Sequence, residues 1–212
     1  MISNQTIPNK VKVNLIGNTM VGKTTILSRM RNKNFNPDTI ATIGASFVTL
    51  KEDNITYEVW DTAGQERFIS LVPMYFRDVS ITLFVFDVTD ISSIKYINKY
   101  RNIFMDIPNI KIMILANKTD LLDENSDYSI GDITNEVCDN FSNLTLEDKI
   151  HGLHFMSALD GSGFVKFMEH FHECARTLPV NPPKNNNIII DDPYLKKEDY
   201  IADQSTNSSR CC

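Results

Sequence analysis

No apolar run in the chain approaches the roughly 18 residues that a membrane-spanning helix needs, so none of its segments is built to cross a bilayer. A secretory leader pattern is also missing, and the expectation is a cytosolic, non-spanning protein. Cysteine is scarce: Cys138, Cys174, Cys211 and Cys212 are the only four, and none sits at metal-ligand spacing. That argues against a disulfide framework and fits a reducing compartment. Positive charge is in deficit, with 21 Lys and Arg against 27 Asp and Glu, a net charge of −6. General attraction to nucleic acid or to anionic membrane is therefore not expected. The four histidines, His151, His154, His170 and His172, have no metal-like partner set, and no Ser/His/Asp arrangement suggests a hydrolytic triad. What remains is ample apolar material, 42% of 212 residues, enough for one domain with a core and a tail.

Residues 1–9 are polar, and residues 10–178 carry the regular patterning. Val11, Val13 and Leu15 alternate, which predicts a first strand over Lys10–Ile16. Phe47–Lys51 and Ile55–Trp60 flank Asp53-Asn54 and read as a hairpin. Ile81–Val88 and Ile110–Ala116 are nearly continuous apolar runs, suited to strands covered on both faces, and a sixth short strand is predicted at Leu153–Met156. Between them, helices are predicted near 23–32, 68–76, 92–105 and 132–143. Phe164, Phe167, Met168, Phe171 and Ala175 mark one face of a further helix. Cys138 and Cys174 fall on predicted helices and read as packing residues rather than nucleophiles. Strands alternating with helices predict an α/β fold, a six-stranded mostly parallel sheet with one antiparallel hairpin edge strand and helices on both faces. Prolines 179, 182 and 183 and Asn185–Asn187 then open a flexible tail over 179–212, in which Ile188–Ile190 is a short apolar run.

Gly17-Asn18-Thr19-Met20-Val21-Gly22-Lys23-Thr24 matches G-x-x-x-x-G-K-[ST], after a predicted strand and at the opening of a helix. Consecutive N–H groups from Asn18 to Thr25 and the helix N-terminus would cradle an anion. Lys23 brings positive charge to the β- and γ-phosphates, and the Thr24 hydroxyl is a ligand for Mg²⁺. At the end of the third strand, Asp61 can hold that ion through water. Gly64 lets its N–H approach a γ-phosphate, and Gln65 can orient an attacking water. Thr42, in a loop, is placed to complete the metal shell, so that triphosphate orders the loop and hydrolysis releases it. Gln65, Lys23 and Thr42 are thus the candidate catalytic residues.

The base side is written after the fifth and sixth strands. In Asn117-Lys118-Thr119-Asp120, the Asp120 carboxylate can accept from guanine N1–H and the N2 amino group, a donor pair adenine lacks. This argues against a reading as an ATPase. Asn117 can tie this loop to the phosphate loop, and the Lys118 stem can cover the base. Ser157-Ala158-Leu159 follows the sixth strand, where the Ala158 N–H can reach guanine O6. Four motifs, each at the C-terminal end of a strand, converge on one crevice.

With these residues together, the chain resembles the Ras superfamily of small GTPases, and within it the Rab family, over about residues 10–177 plus the terminal cysteine pair. The resemblance implies the P-loop NTPase three-layer fold, with GTP as substrate, GDP as product and Mg²⁺ as cofactor. Phe35 matches the aromatic that packs against guanine. Thr42-Ile43-Gly44-Ala45-Ser46-Phe47 looks like the first switch signature, and Trp60 to Phe68 like the second. Phe47, Trp60 and Tyr75 match an aromatic triad that effectors read. Thr42–Phe47 and Leu71-Val72-Pro73-Met74-Tyr75 most resemble the endosomal branch. The chain is similar to these proteins also in Cys211-Cys212, which in Rabs carry two geranylgeranyl groups. One lipid chain anchors marginally and two anchor stably, and the tail has no polybasic stretch to help. The implied protein is a monomeric switch in vesicle traffic on the cytoplasmic face of an endosomal membrane. Its implied partners are effectors, an exchange factor, a GTPase-activating protein and a prenyl-binding escort, with no nucleic acid.

Some positions depart from the family pattern. Thr19 stands where glycine or serine is common, and its branched side chain is expected to slow intrinsic hydrolysis. That leaves a second reading, a GTP-binding scaffold with little turnover. Met20 is also unusual, and Leu159 replaces a common lysine. The segment from Asp120 to Ser157 is longer than usual, with Asp123–Asp127 mostly polar, predicting an enlarged surface loop near the base site.

Overall fold

A computed structural model describes residues 8–32, 45–62, 75–123, 126–144 and 146–180. Its strands are β1 (Lys10–Ile16), β2 (Ala45–Glu52), β3 (Ile55–Thr62), β4 (Ile81–Asp87), β5 (Lys111–Asn117) and β6 (Ile150–Phe155). The α-helices are α1 (Lys23–Asn32), α2 (Arg101–Asp106), α3 (Ile130–Asn143) and α4 (Phe164–Arg176). The strands form one sheet in the order β2-β3-β1-β4-β5-β6. Only the β2–β3 pair is antiparallel; every other neighbouring pair is parallel. The α/β fold expected from the alternating pattern is the fold found.

The two faces of the sheet bury two separate cores. Val11, Val13 and Leu15 of β1 meet Ile26, Leu27 and Met30 of α1 and Phe167, Phe171 and Ala175 of α4. On the opposite face, Phe84, Phe86, Ile112 and Ile114 meet Ile103 and Phe104 of α2 and Ile133, Val137 and Phe141 of α3. All seven residues of β4 are buried, which is why its sequence shows no alternation. Strand β6 lies at an edge and is only half-covered, so His151 and Gly152 dilute its apolar signal. It starts at Ile150, three residues before the predicted Leu153.

The helix predicted near 92–105 is two elements. Ile91–Tyr100 is a 3₁₀ helix, and only Arg101–Asp106 is α-helical. Ile91, Ile94, Ile97 and Tyr100 recur every third residue, a spacing that stacks them on one face at three residues per turn but drifts around an α-helix. Helix α3 begins two residues earlier than expected, at a capping box in which Ser129 and Asp132 bond reciprocally. Cys174 is fully buried, as read, but Cys138 is exposed on α3 and packs nothing into the core. Of the predicted helix at 68–76, only 75 and 76 lie within the described residues.

Candidate functional site

The C-terminal ends of β1, β3, β4, β5 and β6 open toward one rim of the sheet, and the motif residues follow these ends. After β1 the chain turns through Gly17 and Gly22, with φ of 146° and 98°. A Cβ at Gly17 would stand 2.1 Å from the Val85 carbonyl oxygen, and one at Gly22 would stand 2.3 Å from Asn117 Nδ2. Glycine is therefore required at both positions, for positive φ and for close approach to β4 and to the end of β5. Met20 also has positive φ, 62°, and its side chain is 84% exposed. A bulky residue in left-handed backbone costs on the order of 1 kcal/mol, without burial of the side chain in return. Thr19 is exposed too, and its N–H donates to Asn18 Oδ1 at 2.8 Å.

Lys23 opens α1 with its side chain buried beneath the loop. Its Nζ donates to the carbonyls of Gly17, at 2.8 Å, and Asn18, at 2.7 Å. Burial pulls its pKa down to about 8, against the opposing pull of Asp61. The Thr24 hydroxyl donates to Asp61 Oδ2 at 2.6 Å. Asp61 is fully buried, opposite Leu15 in the β1–β3 register, and the next residue, Thr62, donates its hydroxyl to the Leu15 carbonyl at 2.7 Å. One carboxylate and one hydroxyl, both hard oxygen donors, thus meet at the foot of the phosphate loop. That set suits Mg²⁺, which keeps several waters and takes few protein ligands.

On the other side of the rim, Asn117 is buried and bridges two loops. Its Nδ2 donates to the Val21 carbonyl at 2.8 Å, while its Oδ1 accepts from the Ala158 N–H at 3.0 Å. The expected tie between base loop and phosphate loop is present. A base oxygen would share the Ala158 donor with Asn117. Ser157 Oγ donates to Asp120 Oδ1 and accepts from the N–H groups of Leu159 and Asp160, which aims the carboxylate and closes the turn. Leu159 is exposed beside it. Lys118 sits in left-handed backbone and its Nζ lies 2.5 Å from Asp87 Oδ2.

Sequence reasoning did not single out Asp87, the last residue of β4. Burial works to raise its pKa, but the bond from Lys118, followed by those from Thr89, outweighs burial and holds the carboxyl below its usual range. A carboxylate at the C-terminal end of a buried strand was the available signal. Arg29 was also missed: its Nε and a terminal nitrogen donate to the carbonyls of Ala158 and Leu159. A basic residue in the last turn of a helix carries no such signal in sequence.

Phe47 and Trp60 pack with ring centroids 5.0 Å apart, and Trp60 and Tyr75 at 6.0 Å, so the three predicted effector aromatics form one contiguous set. Phe35, Thr42, Gly64, Gln65, Cys211 and Cys212 lie outside the described residues, as does Ile188–Ile190.

Residues 12–177 match the Ras family. The chain belongs to that family. Within it the relatives are Rab proteins. Ras-related protein RABF2b of Arabidopsis thaliana is 31% identical over 208 residues, covering 95% of this chain and 94% of the relative. RABG3f of the same plant is 37% identical over 126 residues, 55% of this chain and 61% of that one. The Ypt/Rab-type GTPase Rab7 of Gibberella zeae is 36% identical over 121 residues, 52% and 59% of the two chains. This Rab small GTPase therefore binds guanine nucleotide and hydrolyses GTP to GDP and phosphate.

Proposed function

We propose that this GTPase is a membrane-anchored switch for endosomal vesicle traffic, with the crevice residues in the roles their chemistry suits. The observation that carries the residue assignment is Asn117. One side chain bonds the phosphate loop at Val21 and the base loop at Ala158, so both ends of a nucleotide would be held by a single braced unit. Asn18 to Thr25 and Lys23 would hold the phosphates. Asp120, aimed by Ser157, would read the guanine edge, with Phe35, Lys118 and Leu159 around the base. Mg²⁺, held by Thr24, Thr42 and water on Asp61, supplies charge neutralisation of the phosphates. Gly64 would face the γ-phosphate and Gln65 would orient the water. Phe47, Trp60 and Tyr75 would present the effector surface, and Cys211 and Cys212 would carry two prenyl chains.

Competition between GTP and ATP for the wild-type chain and Asp120→Ala tests the base assignment. A large guanine preference that collapses in the variant is expected; equal affinity for both nucleotides in the wild type would overturn it. Single-turnover phosphate release from Gln65→Leu tests the water-positioning role, and membrane residence of Cys212→Ser tests the requirement for two chains.

A further inference from the structure

Helix α1 carries contacts at both ends. Its first residue, Lys23, lies under the phosphate loop, and Arg29 follows six residues later, about 9 Å along the axis. There the guanidinium leaves its own helix and reaches the loop after β6. Nε donates to the Ala158 carbonyl at 2.8 Å, and one terminal nitrogen donates to the Leu159 carbonyl at 2.7 Å. The planar group also lies over the Phe164 ring, 5.8 Å from its centroid. Gly161, at φ +90°, closes against it so tightly that a Cβ would stand 2.7 Å from the other terminal nitrogen.

The turn at 157–161 is thus held from two sides. From within, Asn117 Oδ1 accepts the Ala158 N–H and Ser157 Oγ accepts the N–H groups of Leu159 and Asp160. From without, Arg29 fixes the two carbonyls that follow. Two parallel donors from a rigid fork set the plane of successive peptides in a way a single ammonium does not. We infer that Arg29 is a positioning residue for the base: by fixing the Ala158 and Leu159 carbonyls it holds in place the turn whose Ala158 N–H faces the guanine 6-oxygen, and joins that turn to the phosphate-binding end of α1. This rests on the reading, proposed above, that the 157–161 turn faces the base.

The test compares dissociation of two nucleotides from the full chain with Mg²⁺ present. One is GDP; the other is the 2-aminopurine riboside diphosphate, which lacks the 6-oxygen and, with it, the N1–H that would donate to Asp120, so each variant is compared with the wild type for the same nucleotide. Arg29→Met should speed GDP release by about tenfold, while release of the analogue, which has no oxygen to lose, should change by less than about twofold. Arg29→Lys, which keeps charge and length but not the fork, should fall between, and carries the test if the methionine variant does not fold. Equal acceleration of both nucleotides would overturn the inference, since a loosened helix would release either one. So would unchanged GDP release in both variants. If the wild type itself holds ADP as well as GDP, the base reading falls first, and that result appears before any variant is made.

Discussion

At the base end of the crevice, side chains from separate segments bond one another: Asn117 to Val21 and Ala158, Ser157 to Asp120, Lys118 to Asp87, and Arg29 to Ala158 and Leu159. At the phosphate end the bonds centre on two polar side chains at the start of α1, one directed to its own loop and one to the end of β3. Lys23 spends its ammonium on carbonyls of its own loop, and Thr24 gives its hydroxyl to Asp61. The base end is therefore assembled by protein contacts that a ligand can leave in place. The phosphate end is assembled around charges whose present partners a phosphate and a cation would replace. On the assignment proposed above, the difference would place rigidity at the base and exchangeable charge at the phosphates.

The largest effect is expected from removing that exchangeable charge. Lys23→Met should weaken GDP binding on the order of a thousandfold, about 4 kcal/mol, since several charge-assisted bonds to phosphate vanish together. The same residue predicts a pH dependence. In the free protein Lys23 titrates at about 8, and a bound phosphate raises that value. Affinity is then full below about pH 8 and falls as pH rises through it, with proton uptake on binding measurable by calorimetry in two buffers. Flat affinity up to about pH 9 would break the comparison at its phosphate end.

Asn117→Ala attacks the brace instead. It leaves the Val21 carbonyl and the Ala158 N–H without their partner, and Asn117 itself is 2% exposed. Two orphaned groups cost about 3 kcal/mol of folding stability. Urea unfolding measures this directly. A loss confined to nucleotide affinity, with stability unchanged, would mean that the base end is not preassembled.

Much of this contrast was legible in the sequence, for a physical reason. Strand positions and helix faces follow from periodicity, and β1 and α1 fall at their expected residues because Val11, Val13 and Leu15 alternate and the G-x-x-x-x-G-K-T turn follows them. The motif residues assigned to the ligand stand out in the sequence because phosphate and guanine demand particular groups at particular spacings. Of the bracing residues, Asn117 was legible from its motif, but Arg29 and Asp87 were not. Arg29 and Asp87 act on partners 129 and 31 positions away, through contacts that only the closed sheet creates. The helix expected near 92–105 is 3₁₀ over Ile91–Tyr100, where apolar residues recur at a strict spacing of three. Met20 stood out as unusual, but its left-handed backbone was not readable from its identity.

A smaller effect separates the two ends by acid. His154 lies on β6, immediately before the base loop, buried with its Nε2 3.0 Å from His170 Nδ1 and with His151 stacked on His170. Burial first, then His170 and Lys166, hold its pKa down at about 4, against an ordinary 6.5. The unfolded chain therefore binds a proton that the folded chain refuses between these values. Stability is full above about pH 6.5 and is lost as pH falls toward 4, by about 2 kcal/mol on reaching pH 5. His154→Phe should remove that slope in thermal melts at pH 7 and pH 5. GDP release should quicken with acid in the wild type more than in the variant, because β6 frays next to the base rather than the phosphates. An unchanged pH slope in the variant would assign acid sensitivity elsewhere.

The smallest effect tests the outermost brace. Lys118 is bonded to Asp87, but the lysine side chain is 31% exposed, so water competes for the ammonium. Asp87 also accepts from the N–H and the hydroxyl of Thr89, at 2.9 and 2.7 Å. Both bonds go to Oδ1, so in Asp87→Asn the side-chain amide oxygen can keep both while the charge and the Lys118 partner at Oδ2 are lost. The substitution should therefore cost only about 1 kcal/mol and speed GDP release severalfold. The acceleration should shrink in high salt, because screening already weakens the wild-type pair. Acceleration of a hundredfold would show that the Lys118 stem, once released, uncovers the base altogether. In that case the base end depends on its outermost ion pair as strongly as the phosphate end depends on Lys23.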